Sequence, residues 1–207
     1  MGILQVRIGL RGIAPLIWRR LQIPDTYSFW DLHVAIQNAF GWNDSHLHEF
    51  TVQAPVAGRP PLRFGIPLSD DDLRRPEDRP LPGWEHRVSD HVAVGRLDVT
   101  YLYDFGDHWE HEVLLEEALE PSPGRRYPRC VAGERAGPPD DCGGPHGYAS
   151  LLEVLADPEA EDHAEMKSWA TSIKGLRGAF DPEAFDEQRI RFANPATRLR
   201  RMLSEIG

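Results

Sequence analysis

Two strands are predicted at the start of the chain, where apolar and polar residues alternate. Within residues 3–10 every second residue is apolar, which is the period of a strand with one buried face. The apolar positions are Leu4, Val6, Ile8 and Leu10. Residues 16–23 form the second predicted strand, and the short turn between the two favours an antiparallel pair.

The pattern becomes helical after this pair of strands. Apolar residues now recur three or four positions apart, so that they share one face of a helix. They are Phe29, Leu32, Ile36 and Phe40. Thr26 or Ser28 is expected to cap the N-terminus, and Gly41 is expected to end the helix. One early amphipathic helix is therefore predicted.

Alternation returns in the middle of the chain. A strand is predicted over residues 46–52, with His46 and His48 on the same side. Residues 53–96 are rich in proline, glycine and charge, and we interpret them as a loop insertion in which residues 70–79 are solvated. Two further strands are predicted on either side of a tight turn, at residues 97–105 and 109–117.

The second half of the chain is predicted to be coil followed by helices. Residues 121–147 are dense in proline and glycine and are predicted as coil, and helices follow within residues 148–206. This order describes an α+β fold with a mostly antiparallel sheet, one early helix packed on it and a C-terminal helical segment. We expect a single domain over residues 1–207, with a strand and helix core at residues 3–120.

Composition and charge narrow the classes of function. The chain of 207 residues carries a formal net charge of −10, whereas a protein that grips phosphate backbones needs clustered Lys and Arg. Direct high-affinity nucleic-acid binding is therefore not expected. We find no apolar leader or membrane-length apolar run, and Cys130 and Cys142 make no disulfide framework. A cytoplasmic protein without a membrane segment is expected.

The segment from residue 101 to 113 holds the densest set of chemically capable side chains. If Gly106 and Asp107 form a two-residue type II′ turn, Asp104 and His111 become diagonal neighbours on one face of a hairpin. A carboxylate in that position could orient the imidazole, or both could bind one metal ion. A shift of one residue in the register would separate them.

Histidines of the preceding predicted strand add candidate metal ligands. His46 and His48, together with Asp104 and His111, predict a site for a divalent metal ion, zinc or similar. In the alternative interpretation His46 lies in a turn and His48 forms hydrogen bonds within the sheet. The spacing leaves both interpretations open.

A weaker second cluster of ligands lies at the end of the Pro/Gly-rich segment and consists of Cys130, Cys142 and His146. Three ligands are one fewer than a closed structural zinc site holds, so two thiols without metal are the alternative. Asp140 and Asp141 are interpreted as caps of the following helix, with cation binding as the alternative.

Unusual sequence motifs recur in order along residues 15–20, 40–50, 103–112 and 127–148, among them Asp104-Phe-Gly-Asp-His-Trp109. Together they resemble the family named after the third open reading frame of plasmid pRiA, whose members are often labelled insertion-element passenger proteins of TnpR type. The resemblance implies an α+β fold and bacterial or archaeal cytoplasmic proteins, some carried near transposases. It implies no established activity.

The leading hypothesis is an accessory or binding protein of a mobile element, because polar and aromatic residues crowd into these motifs while nucleotide-binding and hydrolase motifs are absent. Its partner would be a protein or a small molecule. The predicted binding surface comprises Trp42, Asp44, His46, His48, Tyr103, Asp104, Phe105, Gly106, Asp107, Trp109, His111, Glu134, Asp140 and Asp141. The alternative is a metal-dependent, hydrolase-like enzyme in which Asp107 or Glu49 is the general base.

Overall fold

The fold is a mixed α/β structure dominated by one large sheet. The computed structural model describes residues 2–54, 58–67, 79–175 and 178–206. In these ranges the strands are β1 (Ile3–Leu10), β2 (Trp18–Pro24), β3 (His48–Val52), β4 (Leu62–Gly65), β5 (Leu81–Pro82), β6 (Val99–Tyr103), β7 (Trp109–Leu119) and β8 (Arg129–Glu134). The helices are α1 (Phe29–Phe40), α2 (Gly144–Ala156), α3 (His163–Ile173) and α4 (Pro195–Ile206), with short 3-10 turns at Val88–Asp90 and Glu187–Arg189.

The sheet runs β5-β4-β3-β6-β7-β1-β2-β8 across the described part of the chain. Only the pair of β4 and β5 is parallel among its ladders there. The predicted mostly antiparallel sheet is therefore confirmed. Helices were predicted within residues 148–206; between α3 and α4 the described residues of this segment contain a 3-10 turn at Glu187–Arg189.

The first three elements follow their local sequence signals. The β1 strand spans the predicted residues, and its apolar side is buried. Ser28 and Asp31 form a reciprocal capping box at the start of α1. Gly41 ends the helix in the left-handed conformation, with φ 71°, and its N–H donates to the carbonyl of Gln37.

The core lies between α1 and the inner face of the sheet. Phe29 of α1 stacks on Phe64 of β4 with ring centroids 4.1 Å apart, and also contacts Phe50 of β3. All three rings are fully buried. Burying a phenylalanine side chain contributes about 2 kcal/mol, so this aromatic contact fixes the start of α1 over β3 and β4.

Arg19 fastens the end of α1 to the far edge of the sheet. Its guanidinium donates to the carbonyls of Ala39, Glu134 and Arg135 at 2.7–2.8 Å. Burial lowers the pKa of Arg19 to about 10, and the carbonyls around it compensate for the lost hydration. The strand β8 is therefore held to α1 as well as to β2.

Two predicted loops contain strands. The predicted insertion at residues 53–96 contributes β4 and β5 to the sheet, and most of the solvated stretch predicted at 70–79 lies outside the described residues. The predicted coil at 121–147 contains β8, which pairs with β2. These strands were missed because they are short and flanked by proline and glycine, which are typical of loops.

Among the described residues, none of the helices has the length and apolar character that crossing a membrane would require.

Candidate functional site

The hairpin between β6 and β7 has a different register from the predicted one. Tyr103 pairs with Trp109, and Tyr101 pairs with His111, so residues 104–108 form a five-residue connection. The predicted two-residue turn at Gly106 and Asp107 was wrong. Asp104 and His111 are consequently not neighbours on one face.

The Asp104 side chain determines this longer turn. Asp104 adopts φ 57°, a left-handed conformation that Asp tolerates better than most residues. Its carboxylate accepts the N–H of Gly106 at 2.9 Å, and its carbonyl accepts the N–H of His108 at 2.7 Å. Hydrogen bonds between a side chain and the nearby backbone can take the place of a tight two-residue turn. The hydrophobic pattern of the sequence does not show such bonds.

His111 is a core residue. Its Nδ1 lies 3.1 Å from the carbonyl oxygen of Trp109, and its ring packs edge-on against Phe40 and Trp42. Burial lowers the pKa of His111 to about 3, so the imidazole is neutral at physiological pH. The predicted grouping of His111 with Asp104 is not formed.

His48 is also a core residue and is separated from His46. The strand β3 begins at His48, and His46 lies in the loop before it. The ring of His48 stacks on that of His33, with centroids 3.5 Å apart. Burial, with the charge of His33, lowers the pKa of His48 well below its ordinary value. The predicted strand is present, but it begins at His48 and not at His46, so the alternative interpretation with His46 outside the strand agrees with the structure.

His46, Asp104 and Asp141 do come together. The Nε2 atom of His46 lies 2.9 Å from Oδ1 of Asp141 and 3.5 Å from Oδ2 of Asp104. One ligand atom from each residue lies within 4.8 Å of the other two, and within the described ranges no further His, Cys, Asp or Glu trio meets this criterion. We call these residues the His–Asp cluster.

Asp140 forms hydrogen bonds that connect the segments carrying His46 and Asp141. Its carboxylate accepts the N–H of Asn43 at 3.0 Å and the hydroxyl of Tyr103 at 3.3 Å. The Tyr103 oxygen in turn accepts the N–H of Ser45. Burial raises the pKa of Asp140. These bonds hold the loop before His46 against the segment that carries Asp141.

Asp44 fixes the same loop from the other side. Its carboxylate lies 2.6 Å from Nε2 of His33 and 3.2 Å from the guanidinium of Arg198, and its N–H donates to Gln37. Burial by itself raises the pKa of Asp44, but the charge of His33 and its hydrogen bond, together with Arg198, give a net lowering. The Nδ1 atom of His33 contacts the Tyr101 hydroxyl at 2.8 Å.

Two aspartates of the His–Asp cluster and the neighbouring Asp44 have a strained backbone. Asp44, Asp104 and Asp141 adopt φ values of 59°, 57° and 58°. A residue other than glycine in this left-handed backbone region costs roughly 1 kcal/mol, and it persists only where surrounding contacts hold it. The hydrogen bonds and ion pairs of these three aspartates therefore hold their backbone, and with it their carboxylates, in place.

Asp107 caps a helix. Its Oδ2 accepts the N–H of Gly143, the N-cap residue of α2, at 3.0 Å. Gly144 adopts φ 67°, and a Cβ built there would lie 2.2 Å from the Asp107 carbonyl oxygen. Helix α2 has no local side-chain cap, so the predicted capping by Asp140 and Asp141 was wrong.

Replacing Asp107 by alanine is expected to lower the free energy of unfolding by about 1 kcal/mol, because an N-terminal helix donor loses its acceptor. Asp107→Asn retains an acceptor oxygen and is the matched control. Urea unfolding of both variants measures the difference. Equal stability of Asp107→Ala and wild type would contradict the capping role.

The other predicted surface residues divide into core and rim. Trp42, Tyr103 and Trp109 are buried, whereas Phe105 is 40% exposed at the tip of the turn beside Gly106. Glu134 is exposed at the end of β8. Glu49 lies 3.8 Å from Arg63 of the neighbouring strand.

The second predicted cluster does not converge. Cys130 is buried in β8, and its thiol donates to the carbonyl of Ala132. Burial, with the charge of Asp107, raises the pKa of Cys142 to about 12, and His146 is exposed on α2. Their three ligand atoms do not all lie within 4.8 Å of one another. Among the described residues, the His–Asp cluster is the only trio that meets this criterion.

Several residues that build the site were missed from the sequence. His33 and Gln37 lie one turn apart on α1, and this spacing of polar residues on a helix was the available signal. Lys174 donates to the carbonyls of Phe40 and Gly41 at the end of α1, both at 2.8 Å, and burial lowers its pKa to about 7. No local pattern indicates that contact.

The fold and the cluster define an α+β protein with a histidine and two aspartates gathered at one end of its mostly antiparallel sheet. Residues 2–189 match the model of the plasmid pRiA4b ORF-3-like protein family, and the chain belongs to that family. The predicted family is therefore confirmed, while the TnpR label stays a prediction.

Relatives of this chain are similar over most of their length. Uncharacterized protein y4hQ of Sinorhizobium fredii (strain NBRC 101917 / NGR234) is 35% identical over 173 residues, covering 82% of this chain and 81% of the relative. A crystal structure of MM3350 from Methanosarcina mazei Go1, described as a protein of unknown function, has 37% identity and a TM-score of 0.78. That match covers 92% of this chain and 98% of MM3350.

Proposed function

We propose that the protein is a binding protein whose recognition site is centred on a divalent transition-metal ion held by His46, Asp104 and Asp141. The observation that carries this proposal is the convergence of their ligand atoms within 4.8 Å. An imidazole nitrogen and two carboxylates are ligands that zinc and similar ions accept at about 2.0–2.2 Å. The partly exposed His46 and Asp141 side chains have room for the small adjustment this requires.

The surroundings of the His–Asp cluster support metal binding. The second carboxylate oxygen of Asp104 accepts a backbone N–H, as ligating carboxylates commonly do. Three protein ligands leave coordination positions open, and such positions take up water or a ligand. An accessory role beside other mobile-element proteins, which the family resemblance implies, would use this position to recognise its partner.

A binding role is favoured over a hydrolase because the two predicted general bases, Asp107 and Glu49, already contact other residues of the protein. Asp107 accepts the N–H of Gly143, and Glu49 pairs with Arg63. Both carboxylates therefore already have structural partners. A general base needs free access to the proton that it removes.

Zinc titration by calorimetry of protein purified without a histidine tag tests the proposal. His46→Gln and Asp141→Asn are each expected to weaken zinc binding by about 100-fold, because even changes to residues outside the ligand shell cost 10–100-fold. His146→Gln is the control, since His146 belongs to the second predicted cluster.

Unchanged zinc affinity in His46→Gln would contradict the proposal. Loss of affinity in His146→Gln alone would place the metal at the second cluster instead. Circular dichroism of each variant checks that the fold is retained.

A further inference from the structure

Tyr103 is connected to all three segments that carry the His–Asp cluster. It is the last residue of β6, directly before Asp104. Its ring packs edge-on against the imidazole of His46, with ring centroids 5.8 Å apart. Its hydroxyl donates to Oδ1 of Asp140, the residue before Asp141, at 3.3 Å. One side chain therefore links the positions of the three proposed metal ligands.

The loop that carries His46 is held to the rest of the fold through side chains. The Asn43 N–H donates to the carboxylate of Asp140 at 3.0 Å, and the Ser45 N–H donates to the hydroxyl of Tyr103 at 3.3 Å. Hydrogen bonds from a side chain to the backbone replace secondary structure in such a loop. Without the Tyr103 hydroxyl, the Ser45 N–H would lose its acceptor and the Asp140 carboxylate would lose a donor.

The Tyr103 side chain is itself fixed in place. Its ring is fully buried and stacks on that of Trp42, with centroids 4.9 Å apart. The Trp42 indole N–H donates to the carbonyl of Pro138 at 3.0 Å. Burial, with the charge of Asp140, raises the pKa of Tyr103, so the hydroxyl keeps its proton and remains a hydrogen-bond donor.

We infer that Tyr103 is a positioning residue of the proposed metal site, where its ring and hydroxyl hold His46 and the segment of Asp141 at the separation that one metal ion requires. Residues that orient metal ligands without binding the ion commonly change the metal affinity 10–100-fold. Tyr103 acts through Ser45 and Asp140 and does not bind the ion itself. This inference rests on the proposed metal site.

Zinc titration by calorimetry of full-length Tyr103→Phe tests the inference. The variant loses one oxygen and keeps the ring, and its zinc affinity is expected to fall about tenfold. Tyr101→Phe is the matched control, because Tyr101 is equally buried on β6 but its hydroxyl contacts His33 and Gln37 of α1. Both variants lose buried hydrogen bonds and are expected to unfold at lower urea concentrations than wild type. Only Tyr103→Phe is expected to lose zinc affinity, which a purely structural role would leave unchanged.

Asp140→Asn tests the same hydrogen bond from its acceptor side, and it decides the inference if Tyr103→Phe does not fold. Only one acceptor oxygen then remains for the Tyr103 hydroxyl and the Asn43 N–H, so zinc affinity is again expected to fall about tenfold. Asp107→Asn is the control for the loss of charge. It removes a carboxylate from the turn between β6 and β7 that accepts the Gly143 N–H instead.

Failure of wild-type protein to bind zinc would overturn the proposed function and this inference with it. Normal zinc binding by wild type with unchanged affinity in Tyr103→Phe, or in Asp140→Asn if the first variant does not fold, would overturn the inference alone. Equal losses of zinc affinity within either matched pair of variants would also overturn it. General loosening of the core, or the loss of one negative charge, would then explain the effect.

Discussion

Acidification from pH 6.5 to pH 4 is expected to lower the free energy of unfolding by about 3 kcal/mol through His111 alone. The pKa of His111 is about 3 in the folded protein because the ring is buried. In the unfolded chain it returns to its ordinary value near 6.5, so the unfolded state binds more protons below that pH. Stability therefore falls as the pH falls. His48, whose pKa is also lowered by burial, acts in the same direction.

Urea unfolding at a series of pH values between 4 and 7 measures this slope. His111→Phe removes the titrating group while keeping a ring in the core, so its slope is expected to be shallower by about one proton. His146→Gln changes an exposed histidine and is the matched control. Parallel slopes for wild type and His111→Phe would show that His111 does not carry the effect.

Asp44→Asn is expected to lower the free energy of unfolding by about 2 kcal/mol, because removing one partner of a largely buried ion pair leaves the other charge uncompensated. This is below the range for fully buried pairs, since the Arg198 side chain remains 26% exposed. Asparagine also tolerates the positive φ of this position. Asp44→Ala is expected to cost about 1 kcal/mol more, because alanine in the left-handed region is strained.

A double-mutant cycle isolates the ion pair. Arg198→Met removes the guanidinium, and the combined variant is expected to be more stable than the sum of the two single losses implies. Thermal or urea unfolding of the four proteins gives the coupling energy. Additive losses would mean that Asp44 acts through His33 and the backbone rather than through Arg198.

Local signals predicted the first part of the fold well. The β1 strand follows from strict alternation, and α1 follows from an apolar stripe bounded by Ser28 and Gly41. In these segments the side chains that determine the element lie within the element itself. Periodicity and capping are therefore sufficient there.

The hairpin register could not be predicted from alternation, because it depends on hydrogen bonds within the turn. The Gly106-Asp107 pair satisfies the rule for a two-residue turn, but the Asp104 carboxylate binds the backbone of the turn and lengthens it. A one-residue change in register reverses the face of every side chain. His111 was therefore predicted as a metal ligand, whereas in the structure it is a core residue.

The His–Asp cluster was predicted only in part for a related reason. His46 and Asp104 were both expected in one site, and their contact is seen. Asp141 was placed on the same predicted surface, but with helix capping as its expected role and cation binding as the alternative. It is 95 residues from His46 along the chain, and nothing local indicates that the two side chains meet. Lys174 and Arg198 likewise act across the fold on α1 and its loop. Contacts of this kind arise from the topology of the fold, which the local pattern of residues along a sequence specifies weakly.

The origin of the His–Asp cluster in three distant segments has a thermodynamic consequence. An unfolded chain does not hold His46, Asp104 and Asp141 together, so a metal ion bound there would bind the native state alone. At a free concentration 100 times its Kd, such an ion adds about 2.7 kcal/mol to the free energy of unfolding. A chelator in the buffer would therefore act as a destabilising agent, and melting temperatures of two preparations would be comparable only at equal metal content.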